Sequence, residues 1–266
     1  MTVRAKPSPN PSSRWRHRSR WRCEPCHTER VGTSLRLVVA LAAALVLTAC
    51  SSEDTDQPDT DPSARLQAAA DTITAAPAIE FSLATEQLPS GVTGLLSVKG
   101  QGNDSPAFQG EARVSAGGTA LPAEVVAVDG QLWVKTGFSS EFLTVNPEQL
   151  GVPDPAQLVG SGEDSAVSLL TSATDLDEGD EVRDGRDVLT TITGTIPGAD
   201  VARLLTTADE NGDFEAEFRL TEDDVLRDVV VTGPFYAGSD DVTYTLTITA
   251  LDSPVEITAP TRPTER

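Results

Sequence analysis

The chain has 266 residues, 20 basic and 41 acidic side chains, and a formal net charge of −21. The charge is unevenly divided: nine Lys and Arg against two acidic residues precede Cys50, which leaves 11 basic and 39 acidic residues from Cys50 onward, a formal −28. Such a polyanion excludes nucleic acid, whose phosphates demand a basic face, and it excludes polybasic attachment to anionic headgroups. It also resists self-association, so a monomer is expected.

In chain order, residues 1–30 come first, with Trp15, Trp21, a run of arginines and Cys23-Glu24-Pro25-Cys26-His27. That string matches a haem-attachment pattern, but it precedes a cleavage site and would never reach the exported compartment. Translation from a GTG codon near Val31 would remove residues 1–30 and leave a leader of about 20 residues; a precursor peptide from residues 1–30 in a mass spectrum would rule that start out. Leu37–Leu47 is an unbroken apolar run behind Arg36. It is too short to span a bilayer, which takes about 20 residues, and fits the apolar core of a signal peptide. It ends in Leu47-Thr48-Ala49-Cys50, the pattern of a bacterial lipobox. The Cys50 thiol would accept a diacylglyceryl group, the peptidase would cut before it, and a further N-acyl chain (palmitate, typically) would follow. Two or three chains anchor stably where one does not, here on the extracytoplasmic face of the cell membrane.

Ser51–Pro62 (SSEDTDQPDTDP) reads as a flexible acidic tether. Asp61-Pro62-Ser63 then opens a helix with Leu66, Ala69, Ala70 and Ile73 on one face, ended by Pro77. Period two follows: Ile79, Phe81 and Leu83; Val92, Leu96 and Val98; Phe108, Ala112 and Val114. Val125–Val128 and Leu132–Val134 flank Asp129-Gly130, a hairpin signal. Glu141–Val145 is a short strand. Asp184-Gly185 separates Asp180–Arg183 from Asp187–Ile196, a second hairpin, and Asn211-Gly212 and Gly233-Pro234 mark turns. Phe214–Leu220 and Val242–Ile248 alternate cleanly. Short helical pieces are expected at Pro147–Leu150, Pro155–Val159, Asp164–Thr171 and Pro197–Thr206.

These elements predict one α+β domain: ten or so antiparallel strands in one large sheet, with a few helices against it. A wide sheet curls, and three or four short helices would cover its concave side incompletely, leaving an apolar space. The domain after Cys50 has no histidine and no other cysteine. It can form no internal disulfide and build no Ser-His-Asp or Cys-His arrangement and no histidine-ligated zinc site. Asp209–Asp213 is calcium-like in composition, but Phe218 stands where an EF-hand loop needs its closing Glu. The expectation is a non-enzyme with no metal and no cofactor.

Several strings in shared order resemble the LppX/LprA/LprF/LprG lipoprotein family of mycobacteria and related actinobacteria. They are Ala68–Leu83, Gly94–Gly100 (GLLSVKG), Phe108–Ala112 (FQGEA), Glu124–Lys135 (EVVAVDGQLWVK), Val152–Val159 (VPDPAQLV), Asp187–Pro197 and Pro254–Pro260 (PVEITAP). One departure is Phe142, near the place where the family has a tryptophan. The resemblance implies a curved antiparallel half-barrel with helices across its concave face, similar to the LolA and LolB carriers. It implies a cavity for multiply acylated lipids or glycolipids, carried between inner membrane and outer cell envelope, in some members beside a major-facilitator transporter. On that reading residues 1–49 are leader and signal peptide, 50–62 the lipidated tether, 63–260 the lipid-binding domain and 261–266 a disordered tail. Candidate lining residues are Ile73, Phe81, Leu83, Leu96, Val98, Val114, Val126, Val167, Leu170, Leu204 and Leu205. The rival expectations are a structural or signalling envelope lipoprotein with the same fold, a filled core and no cargo, and, third, an enzyme that uses carboxylates.

Overall fold

The computed structural model describes residues 61–103, 105–147 and 154–260. The leader, Cys50, the tether before Asp61, all but the first residue of the expected turn at Pro147–Leu150, and the tail 261–266 lie outside the described residues.

Helix α1 (Pro62–Thr74) starts where the sequence predicts: the Asp61 side chain accepts from the Ser63 amide at 3.0 Å, Pro62 takes the first turn, and Leu66, Ala69, Ala70 and Ile73 are buried. The strands that follow are β1 (Ala78–Ala84), β2 (Gly94–Asn103), β3 (Ala107–Ala116), β4 (Thr119–Val128), β5 (Gln131–Thr136) and β6 (Leu143–Val145). Short helices α2 (Pro155–Leu158) and α3 (Ser168–Ser172) come next, then β7 (Thr174–Asp184), β8 (Asp187–Pro197), α4 (Gly198–Leu204), β9 (Asp213–Thr221), β10 (Leu226–Gly233) and β11 (Val242–Leu251).

Among the described residues the eleven strands form one open antiparallel sheet in the order β6-β5-β4-β3-β2-β1-β11-β10-β9-β8-β7. It consists of two meanders, β1–β6 and β7–β11, joined where β1 pairs with β11; Phe81 lies opposite Ile248 and Leu83 opposite Leu246. The Asp129-Gly130 hairpin forms as expected, with φ of +54° and +68°, the left-handed pair that a two-residue turn of the right twist requires.

The elements differ from expectation where alternation is weak. β4 begins at Thr119 rather than Val125, through Pro122. Proline is accommodated because β5 reaches only to the Ala123–Thr136 pair, so no ladder flanks Pro122 on that side. The strand before Asp184 starts at Thr174, not Asp180, and carries two register shifts against β8. Its sequence TDLDEGDEVRD has no apolar alternation because it is an exposed edge, and its acidic side chains oppose pairing with another chain. The piece expected over Asp164–Thr171 is helical only from Ser168, and β6 starts at Leu143.

The main core lies between the helices and one face of the sheet, called inner here. Gly100 and Gly110 stand opposite each other on that face. A Cβ on either would lie 2.2 Å from a carbonyl of the facing strand and 2.7 Å from the Phe108 ring, so the missing side chains let two strands approach under an aromatic ring. A second, smaller core lies on the outer face, where Ala107, Val126 and Trp133 are covered by Ile257 in the segment after β11. The Asn103 side-chain amide holds that segment by donating to the Val255 carbonyl at 3.0 Å.

Candidate functional site

The inner face offers apolar clefts where helices meet sheet. One is lined by Phe81 and Leu83 of β1, Val231 of β10, and Tyr244 and Leu246 of β11, with Leu158, Leu169, Val201, Leu204 and Leu205 from the helical side and Phe235 at the end. It holds about 30 Å³. Another, of about 20 Å³, lies at the end of α1 and includes Ile73, Ile79, Val159 and Val167. No charged side chain lines either cleft. The first cleft is walled by aliphatic and aromatic side chains, which exclude water and offer dispersion contact, the interaction an aliphatic chain uses; Thr74, Asn103 and Ser161 add polar groups to the second.

The polar groups nearest the first cleft are two phenols. The Tyr236 and Tyr244 hydroxyls lie 2.7 Å apart, and Tyr244 donates to the Leu95 carbonyl. Burial, with the hydrogen bond to Tyr236 behind it, pushes the Tyr244 phenol well above its ordinary value. An edge-to-face series Phe214–Phe235–Tyr244, with centroids 4.8 Å apart at each step, fixes the rings.

The structure brings most of the sequence-predicted residues together. Ile73, Phe81, Leu83, Val167, Leu170 and Leu204 are buried in the inner core, and Leu205 and Val98 pack at its margin. Three are placed otherwise. Val126 lies on the outer face, under Ile257, because Val125 and Ala127 take the inner positions. At Leu96 a bulge between Leu95 and Ser97 shifts the register, and Leu95 packs on the core instead. Val114 is on the inner face, half-buried, and not part of the inner core. Residues that sequence reasoning did not single out include Leu158, Leu169, Val231, Phe235, Tyr244 and Leu246. For Tyr244 and Leu246 the signal was present, since they alternate in step with Ile248; the pairing that sets them beside Phe81 was not.

Arg65 was also not foreseen. It is 8% exposed on α1, its Nε 2.6 Å from Asp224 Oδ1 and its Nη1 3.3 Å from Glu178 Oε2, and Nη2 donates to the Thr221 carbonyl at 3.2 Å. Burial alone would lower its pKa, but the two carboxylates together outweigh that and raise it. The cation fastens α1 over the β9–β10 turn and the edge strand β7.

A family model described as LppX_LprAFG lipoprotein matches residues 61–257. The chain belongs to the LppX_LprAFG lipoprotein family. Two solved members share the fold. LprF from Mycobacterium bovis overlays with a TM-score of 0.61 at 14% identity, over 75% of this chain and 96% of that one. Lipoprotein LppX from Mycobacterium tuberculosis overlays at 0.52 and 17% identity, over 75% of this chain and 100% of that one. A LolA superfamily protein from Nitrosomonas europaea aligns only at a TM-score of 0.25 and 8% identity, over 72% of this chain and 94% of that one. No curated relative matches. In this family member no helix among the described residues is long and apolar enough to cross a membrane.

Proposed function

We propose that this lipoprotein binds the acyl chains of lipids or glycolipids between its helices and the inner face of the sheet, and carries them between inner membrane and outer cell envelope. The observation that carries the reading is the uncharged apolar cleft at the helix–sheet boundary of a lipoprotein-family fold. Each methylene withdrawn from water contributes about 0.8 kcal/mol, so a few chains supply ample affinity without polar contacts. At about 30 Å³ the cleft as it stands falls short of the roughly 150 Å³ that takes even a benzene-sized guest. Binding therefore requires the helical side to move off the sheet. Helices α2, α3 and α4 have four, five and seven residues, too short to be stable by themselves, and exist only through their contacts.

Native mass spectrometry of the protein gently extracted from its host tests the reading. Acyl lipid retained in the complex is expected; a delipidated protein that neither retains nor takes up acyl lipid would overturn it. The tight interior favours a second reading, a structural or signalling lipoprotein with no cargo, and that negative outcome would establish it. Anchoring is assigned to Cys50. In the Cys50→Ser variant the protein should leave the lipid-modified membrane fraction and its precursor should persist; a variant still carrying acyl mass would refute the assignment. Handover to a major-facilitator transporter belongs to the same proposal, with co-purification of the two as its test.

A further inference from the structure

The two ends of β1 and its neighbouring strands are closed differently. At the end where the β9–β10 turn lies, the buried Arg65 ion pairs bind α1 to Asp224 and Glu178. At the opposite end the sheet has a gap. β1 stops at Ala84, whose neighbours are Ser97 on β2 and Thr245 on β11. The Thr85 amide still bonds the Leu96 carbonyl; past it, β2 and β11 have no strand between them.

A side-chain bridge spans that gap in place of ladder hydrogen bonds. Tyr244 reaches from β11 and donates to the Leu95 carbonyl on β2. Its single proton is thereby committed, so Tyr236 is the donor in the 2.7 Å contact between the two hydroxyls. Tyr236 comes from the β10–β11 loop and presses on Gly94, where a Cβ would lie 2.4 Å from its hydroxyl oxygen. The loop is itself held by Ser239, whose hydroxyl donates to the Tyr236 carbonyl at 2.8 Å. Directly behind the bridge, Tyr244 and the neighbouring Phe235 form the wall of the apolar cleft.

We propose that this gap is the portal by which an acyl chain enters and leaves the cleft, and that the Tyr236–Tyr244–Leu95 clasp is its closure. The inference rests on the acyl-binding reading above. Opening here breaks two side-chain hydrogen bonds and no strand ladder, whereas opening at the other end would uncover a buried guanidinium and its carboxylates. The closed clasp satisfies both hydroxyls within an apolar wall; in the open state water satisfies them.

The test uses the full-length protein and a fluorescent 16-carbon fatty acid delivered from phosphatidylcholine vesicles. Tyr236→Phe and Tyr244→Phe keep the rings and remove the clasp. Each should exchange the probe about 5- to 30-fold faster than wild type, the factor one or two hydrogen bonds supply. Their amides at residues 94–96 and 235–245 should exchange hydrogen faster than wild type, with α1 unchanged. Ile257→Ala, which loosens the outer face alone, should leave the probe rate unaltered. Equal probe rates in wild type and the tyrosine variants would overturn the portal, as would equal acceleration in Ile257→Ala. A wild-type protein that takes up no probe would overturn the acyl-binding reading, and the portal with it.

Discussion

Arg65 is a charge placed where a helix would ordinarily bury an aliphatic group, between Leu66 and the β9–β10 turn. It is tolerated because two carboxylates and a carbonyl meet all sides of the guanidinium. Arg65→Met keeps the apolar stem and removes the charge. Asp224 and Glu178 retain 31% and 39% exposure, so water partly replaces the lost partner. Thermal unfolding should register a loss of about 1–3 kcal/mol rather than the 3–5 of a fully buried pair. Tyr244 gives a pH signature. Its folded pKa is raised, first by burial and then by Tyr236, while in the unfolded chain it ionises near pH 10. Its stabilising contribution is therefore complete below about pH 10 and is lost as pH rises above that, at up to about 1.4 kcal/mol per pH unit. Urea unfolding from about pH 8 to 11 should show a shallower alkaline decline in Tyr244→Phe, from a neutral-pH value lower by about 1 kcal/mol. Gly100→Ala would set a methyl against the facing backbone of β3 and the Phe108 ring. Neither yields easily, and a loss of about 1–3 kcal/mol is expected in the same assay.

At the scale of elements, the segment after β11 contributes no strand, yet it seals a separate core. Ile257 covers Trp133, the sole tryptophan after residue 21, which makes the seal observable. Ile257→Asp should shift the Trp133 emission to the red and cost about 2–4 kcal/mol by chemical denaturation, since it buries a charge or releases the segment. Unchanged emission would mean that the segment does not cover the ring. The helices show the opposite balance. α1, with 13 residues and an Asp61 cap, was legible from its spacing. α3 starts four residues later than the apolar spacing predicts, because residues 164–167 form turns with amide-to-carbonyl bonds three residues apart rather than a regular α-helix, while still packing Ala166 and Val167 into the core. The run Val125–Val128 explains the misplacement of Val126. Apolar on both faces, it gives alternation nothing to choose by. Its outer residues are apolar because Ile257, over a hundred residues away, covers them.

Across the described residues as a whole, ten neighbouring strand pairs make the sheet, and nine of them join strands consecutive in sequence. The exception, β1 with β11, is what brings Phe81 and Leu83 to Leu246 and so creates the cleft wall. Local signals cannot encode that pairing, because it closes a loop of more than 150 residues and is stabilised only when both meanders exist. The acidity acts at this scale too. With a formal −28 from Cys50 onward, the domain is repelled by anionic headgroups. If acyl chains on Cys50 hold it, as proposed, attachment should survive high salt unchanged; release of the wild-type protein from membranes by salt alone would contradict lipid anchoring.

The period-two strands, the capped α1 and the Asp129-Gly130 hairpin are legible in the amino-acid order alone, because each depends on residues within a few positions of one another. The lipobox pattern ending in Cys50 is an equally local reading, and it lies outside the described residues. The tertiary structure decided which face of β4 turns inward, where the bulge at Leu95 shifts register, that Arg65 finds two carboxylates, and that the inner face is nearly filled. Those outcomes depend on contacts between distant segments, whose free energy appears only when the segments meet.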